Sequence, residues 1–326
     1  MISRYPNMKI LFITHPYPNY MPDLLLHGLR KLIGPDVIDF PRKDCLYQGV
    51  LGLGVCPADQ LCPNWFPADN GLVDREDIFN KMRQGYFNFV VADIRAATFL
   101  KEQLDQWPDG MVWLDGEDVP VRINPGPYVV GRRETDGSDF SIPIPMALPE
   151  EILNWIKSFD QVPKTRSIGF LGSTEGGLRR RIAEEISKCF PDALFQTSAI
   201  PSDSNPSPAG RLSRHDYYRQ LQSCQLVLSL PGAGLDTFRF WEHAACNAVH
   251  LSQRLTLYIP NGQVDGLHLL YFNDISQLKA HIDRMLNDPA QADRIMAAGR
   301  KHLIDFHLTN RRAVYFLDRI RQAFVQ

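Results

Sequence analysis

Short apolar runs alternate along the chain with segments whose leucines recur at helical spacing. The first run, KILFITH, ends in a His-Pro turn at His15, and the leucines of Asp23–Lys31 then precede Gly34, which suits a helix C-terminus. A second apolar run, DVIDFPR, follows this segment. Strand, helix and strand in this order, with connections of helical length, predict a parallel sheet covered by helices on both faces.

The same alternation runs through the first half of the chain and then begins again. Glu150–Lys164 is predicted to be a connecting helix and linker, and helical patterns fill most of Ile275–Phe324. The predicted strands are FNFVVADI, GMVWLDGED, YVVGRRE and SIPIPMALP in the first half, and RSIGFLGST, DALFQTSAI, QLVLSLPGAG and AVHLS in the second. We therefore expect two doubly wound, Rossmann-like α/β domains facing each other across a cleft, residues 1–148 and 149–326. The final helices are candidates to cross back to the first domain.

Composition narrows the class of protein and of partner. With 326 residues, of which 44% are hydrophobic and 22% charged, the chain has the composition of a soluble globular protein with two domains. Its formal charge of −2 gives no electrostatic reason to expect nucleic acid or an anionic membrane as partner. No run of about 18 apolar residues is present, and the N-terminus lacks a signal-peptide pattern. We expect a cytoplasmic protein without a transmembrane segment, whose six scattered cysteines are reduced.

In open parallel sheets ligands bind beyond the carboxyl ends of the strands, so the turns there are the places to search for chemistry. The turn LPGAGLD leads into a helix that is expected to begin near Asp236. Gly232 and Gly234 would let a ligand approach the backbone, and Thr237 could add a hydroxyl donor. Because the first N–H groups of a helix are unpaired and carry partial positive charge, this turn suits a diphosphate.

Arg239 and Glu242 stand three residues apart and share one face of that helix. At a rise of about 1.5 Å per residue, Glu242 lies about 9 Å along the axis from Asp236. That is roughly the separation of a diphosphate from the ribose of the same nucleotide, and one carboxylate can accept both ribose hydroxyls. The alternative is an exposed ion pair on an ordinary strand–helix–strand unit.

The segment LVLSLPGAGLDTFRFWEHAACNAVHL resembles the donor-binding motif of GT-B glycosyltransferases, in particular of their exostosin-like and spore-coat-type branches. Thr237, Arg239 and Glu242 match its (T/S)xRxxE helix, and Ala244–Ala248 match its small-residue run. The resemblance implies that Glu242 holds the donor ribose and that basic or backbone groups of this region meet the diphosphate. Position 234 is glycine where the EX7E pattern has its first glutamate, so retaining enzymes of that class are a poor guide.

The other predicted strand-end turns supply further candidates. GT-B enzymes commonly bring the first turn of the second domain to the donor phosphates, which implies such a role for Gly172 and Ser173. At least two of the three arginines in Arg179–Arg181 are expected on a solvated helix face. The segments THPYPNYMPDLLLHGLR, DFPRK, LDGED and GRRE resemble a bacterial group of glycosyltransferases with poorly defined substrates.

Three residues of the first domain are candidates for the base that takes the acceptor proton: His15, Asp115 and Asp23. A histidine has its ordinary pKa near neutrality, and the carboxylates clustered in LDGEDV can raise one another's pKa. Asp23 could equally cap its helix, and Asp115 could bind a neighbouring arginine.

The sequence therefore predicts a glycosyltransferase that moves a sugar from a nucleotide-sugar to the hydroxyl of a saccharide, lipid-linked or protein acceptor. No metal or other cofactor is expected, because the chain lacks an evident DxD pair and arginine with the helix dipole can stabilise the leaving diphosphate. One alternative is a non-catalytic nucleotide-binding or regulatory module. Another is an NAD-dependent oxidoreductase, which is disfavoured because LPGAGLD lacks the third glycine and GVLGLGVCP has only a glycine pair in a loop.

Overall fold

The fold is that of a computed structural model, which describes residues 5, 7–48, 65–67, 69, 71–103, 108, 110–120, 128–173, 177–196 and 212–325. The glycine pair of GVLGLGVCP lies outside these residues. Everything below refers to the described part of the chain.

The first half forms a six-stranded sheet in which every neighbouring pair is parallel. The strand order is β2-β1-β3-β4-β5-β6. Its elements are β1 (Ile10–Ile13), α1 (Tyr20–Ile33), β2 (Val37–Phe40), α2 (Ile78–Arg83), β3 (Phe89–Asp93), α3 (Ala97–Gln103), β4 (Met111–Asp115), β5 (Val129–Arg132) and β6 (Ile142–Pro143). The central strands β1, β3 and β4 are buried along their whole length, which explains why their sequences read as unbroken apolar runs.

The second half forms a five-stranded parallel sheet of order β11-β10-β9-β7-β8. It follows the connecting helix α4 (Glu150–Lys157). Its elements are β7 (Arg166–Leu171), α5 (Gly177–Cys189), β8 (Leu194–Gln196), α6 (Arg214–Gln222), β9 (Cys224–Ser229), α7 (Phe238–Ala245), β10 (Val249–Gln253), β11 (Leu270–Phe272) and α8 (Ile275–Asn287). The prediction of two doubly wound α/β units is therefore confirmed. Strand β11 was not predicted.

The last two helices are α9 (Pro289–Phe306) and α10 (Thr309–Val325). Helix α10 packs on the first half, where Phe316, Leu317 and Ile320 share an apolar cluster with α1. Helices α1 and α10 approach each other closely at Gly28, where a Cβ atom would lie 2.1 Å from the carbonyl oxygen of Thr309. Because a backbone atom cannot move aside cheaply, this contact requires glycine.

Gly28→Ala should therefore destabilise the protein, since the added methyl group forces α10 away from α1. Overpacking of this kind typically costs about 1–3 kcal/mol, which urea unfolding would measure as a lower midpoint at unchanged slope. Gly177→Ala is the matched control, because a Cβ atom at that helical position meets nothing within 4 Å. Equal midpoints for the two variants would contradict the close approach.

Candidate functional site

The loops that follow the strands of the two sheets contact each other. Glu134, just after β5, accepts hydrogen bonds from the backbone N–H groups of Leu235 (3.2 Å) and Asp236 (3.0 Å), in the loop after β9. The ring of Tyr20 at the start of α1 stacks on Phe238 at the start of α7, with centroids 5.3 Å apart. The turns that the sequence singled out in the two halves are therefore neighbours in space.

Two guanidinium groups converge on the glycine turns of the second half. Arg239 and Arg179 lie over the ring of Phe170, at 5.3 and 5.7 Å from its centroid. A Cβ atom at Gly172 would lie 2.6 Å from Nη2 of Arg239, and one at Gly232 would lie 3.4 Å from Nη2 of Arg179. The two glycines therefore leave the room that the guanidinium groups occupy.

No carboxylate oxygen of the described chain lies within 4.0 Å of a side-chain nitrogen of Arg179 or Arg239. Burial, and then the neighbouring charge of Arg239, lower the pKa of Arg179. Nε of Arg239 is buried and has no hydrogen-bond partner among the described residues. Two neighbouring cations that form no ion pair with a described residue are suited to bind an anion.

Arg179 is fixed by the backbone on either side of this site. It donates to the carbonyl oxygens of Pro231 (2.9 Å), Ser173 (3.0 Å) and Leu230 (3.3 Å). Arg180 and Arg181, the next two residues, are exposed. Ser173 thus contributes its carbonyl oxygen to the site, while the solvated helix face comprises two arginines of the three.

Glu242 is buried, with 9% of its surface exposed, and lies under two tyrosines of α6. Tyr218 donates its hydroxyl to Oε1 at 2.7 Å and Tyr217 donates to Oε2 at 3.1 Å. Burial raises the pKa of Glu242, although the tyrosine hydroxyls and the charge of Arg239 oppose the rise. Each oxygen keeps a free lone pair, so the carboxylate can still accept further hydroxyls. This is not the exposed ion pair that the sequence left open.

The loop between β9 and α7 is closed on itself by a hydrogen bond from Gly232 N–H to the carbonyl oxygen of Gly234 (2.9 Å). Helix α7 begins at Phe238, two residues later than expected, with Thr237 in extended conformation at its N-cap. Leu235 and Asp236, whose N–H groups are bound to the first half, lie outside the helix. The hydroxyl of Thr237 makes no capping hydrogen bond.

His15 lies at the carboxyl end of β1, half-buried, and its Nδ1 accepts a hydrogen bond from the N–H of Tyr17 at 3.2 Å. A neutral ring held in this way carries its proton on Nε2 and presents a donor. Burial lowers the pKa of His15, while the charge of Asp93 opposes this. His15 would have to release Tyr17 before Nδ1 could take a proton.

The two carboxylate candidates of the first half are buried and bound to cations. Asp23 contacts Nζ of Lys43 at 3.0 Å and accepts from the N–H of Asn19, the N-cap of α1, at 2.9 Å. Asp115 accepts from Nε of Arg132 at 3.1 Å. Burial raises the pKa of Asp23, although Lys43 lowers it. The contact of Asp115 matches the arginine-binding role that the sequence left open. The N-cap role left open for Asp23 is wrong, because the N-cap of α1 is Asn19.

The sequence did not single out two buried carboxylates at the same edge of the first sheet. Asp93 is the last residue of β3, and burial raises its pKa. Glu134 follows β5 in the segment GRRE, and burial raises its pKa as well. A carboxylate directly after an apolar strand is the signal that could have identified both.

The described residues contain neither a metal-binding cluster nor a helix that could span a membrane. No group of three or more histidine, cysteine, aspartate or glutamate side chains in this part of the chain is placed to hold a metal ion. None of its helices has both the length and the apolar character needed to span a bilayer.

Residues 192–318 match the family model described as glycosyl transferase-like. Among solved structures, a glycosyltransferase from Rickettsia africae is 11% identical and covers 98% of this chain and 99% of its own, with a TM-score of 0.61. The Anabaena protein Alr3699/HepE in complex with UDP is 12% identical over 97% and 100%, with a TM-score of 0.60. An alpha-glucosyltransferase in complex with UDP-glucose and DNA is 10% identical over 97% and 98%, with a TM-score of 0.52.

No curated protein matches this chain. The structural matches establish the class of fold, which is GT-B, the architecture of two facing Rossmann-like domains. Within that fold, the match to the glycosyl transferase-like model covers most of the second half.

Replacing Glu242 with glutamine tests its burial. Because its raised pKa makes the folded protein bind a proton more readily than the unfolded one, the stability contributed by Glu242 falls as the pH rises from 4.5 through the raised pKa. Glu242→Gln removes this decline, and its amide can still bond to both tyrosines. We expect the free energy of unfolding of the variant, relative to the wild type, to rise with pH over that range in urea titrations.

Glu102→Gln, on the exposed face of α3, is the control for this titration and should follow the wild type at every pH. A constant difference between Glu242→Gln and the wild type would contradict the raised pKa.

Proposed function

We propose that this chain is a glycosyltransferase that moves a sugar from a nucleotide-sugar to an acceptor hydroxyl. The observation that carries the proposal is the pair Arg179 and Arg239, which lies where the loops after β7 and β9 meet and forms no ion pair with the described residues. A diphosphate carries the charge that this pair lacks. The GT-B fold and the glycosyl transferase-like domain support the same activity.

The geometry suggests a role for each group of the donor site. Arg239 and Arg179 would bind the diphosphate and stabilise the charge that develops on it as its bond to the anomeric carbon breaks. Thr237 has a hydroxyl free of capping duties at the same helix start, and Gly172 and Gly232 leave the approach open. Glu242, one turn further along α7 and held by two tyrosines, would orient the ribose diol.

The nature of the donor and the cofactor requirement are parts of the same proposal. We propose a uridine diphosphate sugar as the first donor to test, because two neighbouring structures hold UDP or UDP-glucose. The transfer is proposed to need no metal, because the two guanidinium groups can neutralise the diphosphate. The exostosin-like or spore-coat branch, a cytoplasmic location and a saccharide, lipid-linked or protein acceptor rather than nucleic acid complete the proposal.

For the acceptor proton we favour His15 among the three candidates. Asp23 and Asp115 are held by Lys43 and Arg132, whereas the ring of His15 is partly exposed at the edge of the sheet. As the acceptor oxygen forms its bond to the anomeric carbon, its proton would pass to Nδ1 once Tyr17 is displaced.

The second candidate function is a non-catalytic nucleotide-binding or regulatory module. One observation favours it: each candidate base is hydrogen-bonded or ion-paired within the first half. Product analysis with a panel of nucleotide-sugars separates the two functions, because transfer or donor hydrolysis excludes the module.

Arg239→Gln should weaken UDP binding by about tenfold to a hundredfold, because hydrogen bonds to a charged group contribute about 1.5–3 kcal/mol. Isothermal titration with UDP measures the change. Arg180→Gln, the matched control on the exposed face of α5, removes one positive charge and should bind UDP as the wild type does. Equal losses in the two variants would reduce the effect to net charge.

Glu242→Ala should raise the donor KM by at least tenfold or abolish turnover, because the ribose loses its acceptor while the fold is kept. UDP release assayed over a range of donor concentrations, with circular dichroism to check the fold, measures this. Undiminished donor binding by a folded variant would remove Glu242 from the donor site.

A further inference from the structure

We infer that Glu134, from the first half of the chain, is a positioning residue of the donor site in the second half. It holds the loop of residues 232–237 in its binding shape and thereby couples donor binding to the approach of the two domains. The inference rests on the proposed function for the identity of the ligand, but the contacts that carry it do not.

The two oxygens of Glu134 bind two successive backbone N–H groups. Oε2 accepts from Leu235 at 3.2 Å and Oε1 accepts from Asp236 at 3.0 Å. The residue is 7% exposed, and Nε of Arg133 lies 3.3 Å from Oε1. A buried carboxylate with this number of donors has a fixed position, so the loop that donates to it is fixed as well.

Gly234 shows how closely the two halves approach. A Cβ atom there would lie 2.5 Å from Oε1 of Glu134 and 2.7 Å from Nη2 of Arg133. The backbone at this glycine does not have a positive φ, so the requirement for glycine comes from space and not from conformation. The only room for a side chain at this position is taken by the carboxylate of the first domain.

The side chain of Asp236 adds a second attachment to the first half. Its Oδ2 accepts from the N–H of Met146, between β6 and α4, at 2.6 Å, and its Oδ1 accepts from Nε1 of Trp241 at 2.9 Å. The far end of the loop is bound to the second half, where Arg179 donates to the carbonyl oxygen of Pro231. Its shape is therefore set by both domains together.

Two consequences follow for a diphosphate at Arg179 and Arg239. Movement of Glu134 away from the loop would release Gly232–Thr237, and with it the position of the hydroxyl and N–H groups at the start of α7. By linkage, a donor that binds the fixed loop also favours the arrangement of the domains in which Glu134 contacts that loop. Glu134 is itself neutralised by Arg133 and two N–H groups, so it contributes position and no bond to the phosphates.

The test compares Glu134→Ala and Glu134→Gln with the control Glu102→Ala, which removes an exposed acid from α3 of the same domain. We call the hold of Glu134 on the N–H groups of Leu235 and Asp236 the clamp. Amide hydrogen exchange of a peptide covering these two residues reports the clamp without any ligand. Donor KM and kcat, with UDP-glucose as the probe, report its effect on the site.

Glu134→Ala should exchange these amides at least tenfold faster and raise the donor KM by about tenfold, with kcat within a factor of two or three of the wild type. The exchange rate and donor KM of Glu134→Gln should lie between those of Glu134→Ala and the wild type, because its single carbonyl oxygen can accept one of the two N–H groups. The control should match the wild type in both measurements.

Unchanged exchange in Glu134→Ala would overturn the clamp, and faster exchange with unchanged KM would reduce Glu134 to a structural contact. If Glu134→Ala does not fold, Glu134→Gln decides between these outcomes by the same measurements. A wild type that binds no UDP would overturn the proposed function, whereas the exchange measurement would still test the clamp.

Discussion

Parallel pairing is the constraint on which the rest of this structure depends. A parallel ladder cannot be joined by a tight hairpin, so each strand must return through a crossover that begins at its carboxyl end. Every loop that follows a strand therefore lies at one edge of its sheet, and each half of this chain has one such edge. Because the two edges face each other, residues as distant in sequence as Glu134 and Leu235 come within hydrogen-bond distance.

The two edges differ in how their charges are balanced. In the first half two of the buried acids have a local cation: Asp23 contacts Lys43, and Asp115 contacts Arg132. In the second half Arg179 and Arg239 both lie over the ring of Phe170, at 5.7 and 5.3 Å from its centroid. Because carrying two like charges into a half-buried site costs free energy, an external anion is the natural source of compensation. The imbalance supports the proposal that the donor binds to the second domain and the acceptor hydroxyl to the first.

The periodicity of the sequence was sufficient for the fold. Buried parallel strands and amphipathic helices each have a local pattern, and most element positions follow from it. The exceptions are α7, which begins two residues later than predicted, and β11, which was not predicted. The partners of the site residues have no such pattern. Tyr217 and Tyr218 bind Glu242 from α6, more than 20 residues earlier in the chain. Because they are adjacent in sequence, they do not follow the i, i+3, i+4 spacing that marks one face of a helix. Contacts of this kind are set by how α6 and α7 pack together, which spacing within one helix cannot show.

Glu134 was hidden for a related reason. In the segment GRRE it reads as one more charge in a polar turn, and Gly234 reads as one more turn glycine. Only the meeting of the two halves shows that the glycine lacks a side chain because the glutamate occupies its place. Local sequence therefore singled out this loop but attributed its glycines to the ligand alone.

Burial raises the pKa values of Glu134, Asp236 and Glu242, and all three lie on or beside the loop between β9 and α7. Each has its own donors: backbone N–H groups for Glu134, Met146 and Trp241 for Asp236, and two tyrosines for Glu242. Those bonds reduce the desolvation cost but do not remove it, because each pKa remains raised. A cluster of buried acids that lowers stability is expected where binding rather than folding determines the residues. The cost is concentrated at one loop, and that loop is the part of the second domain that the first domain holds.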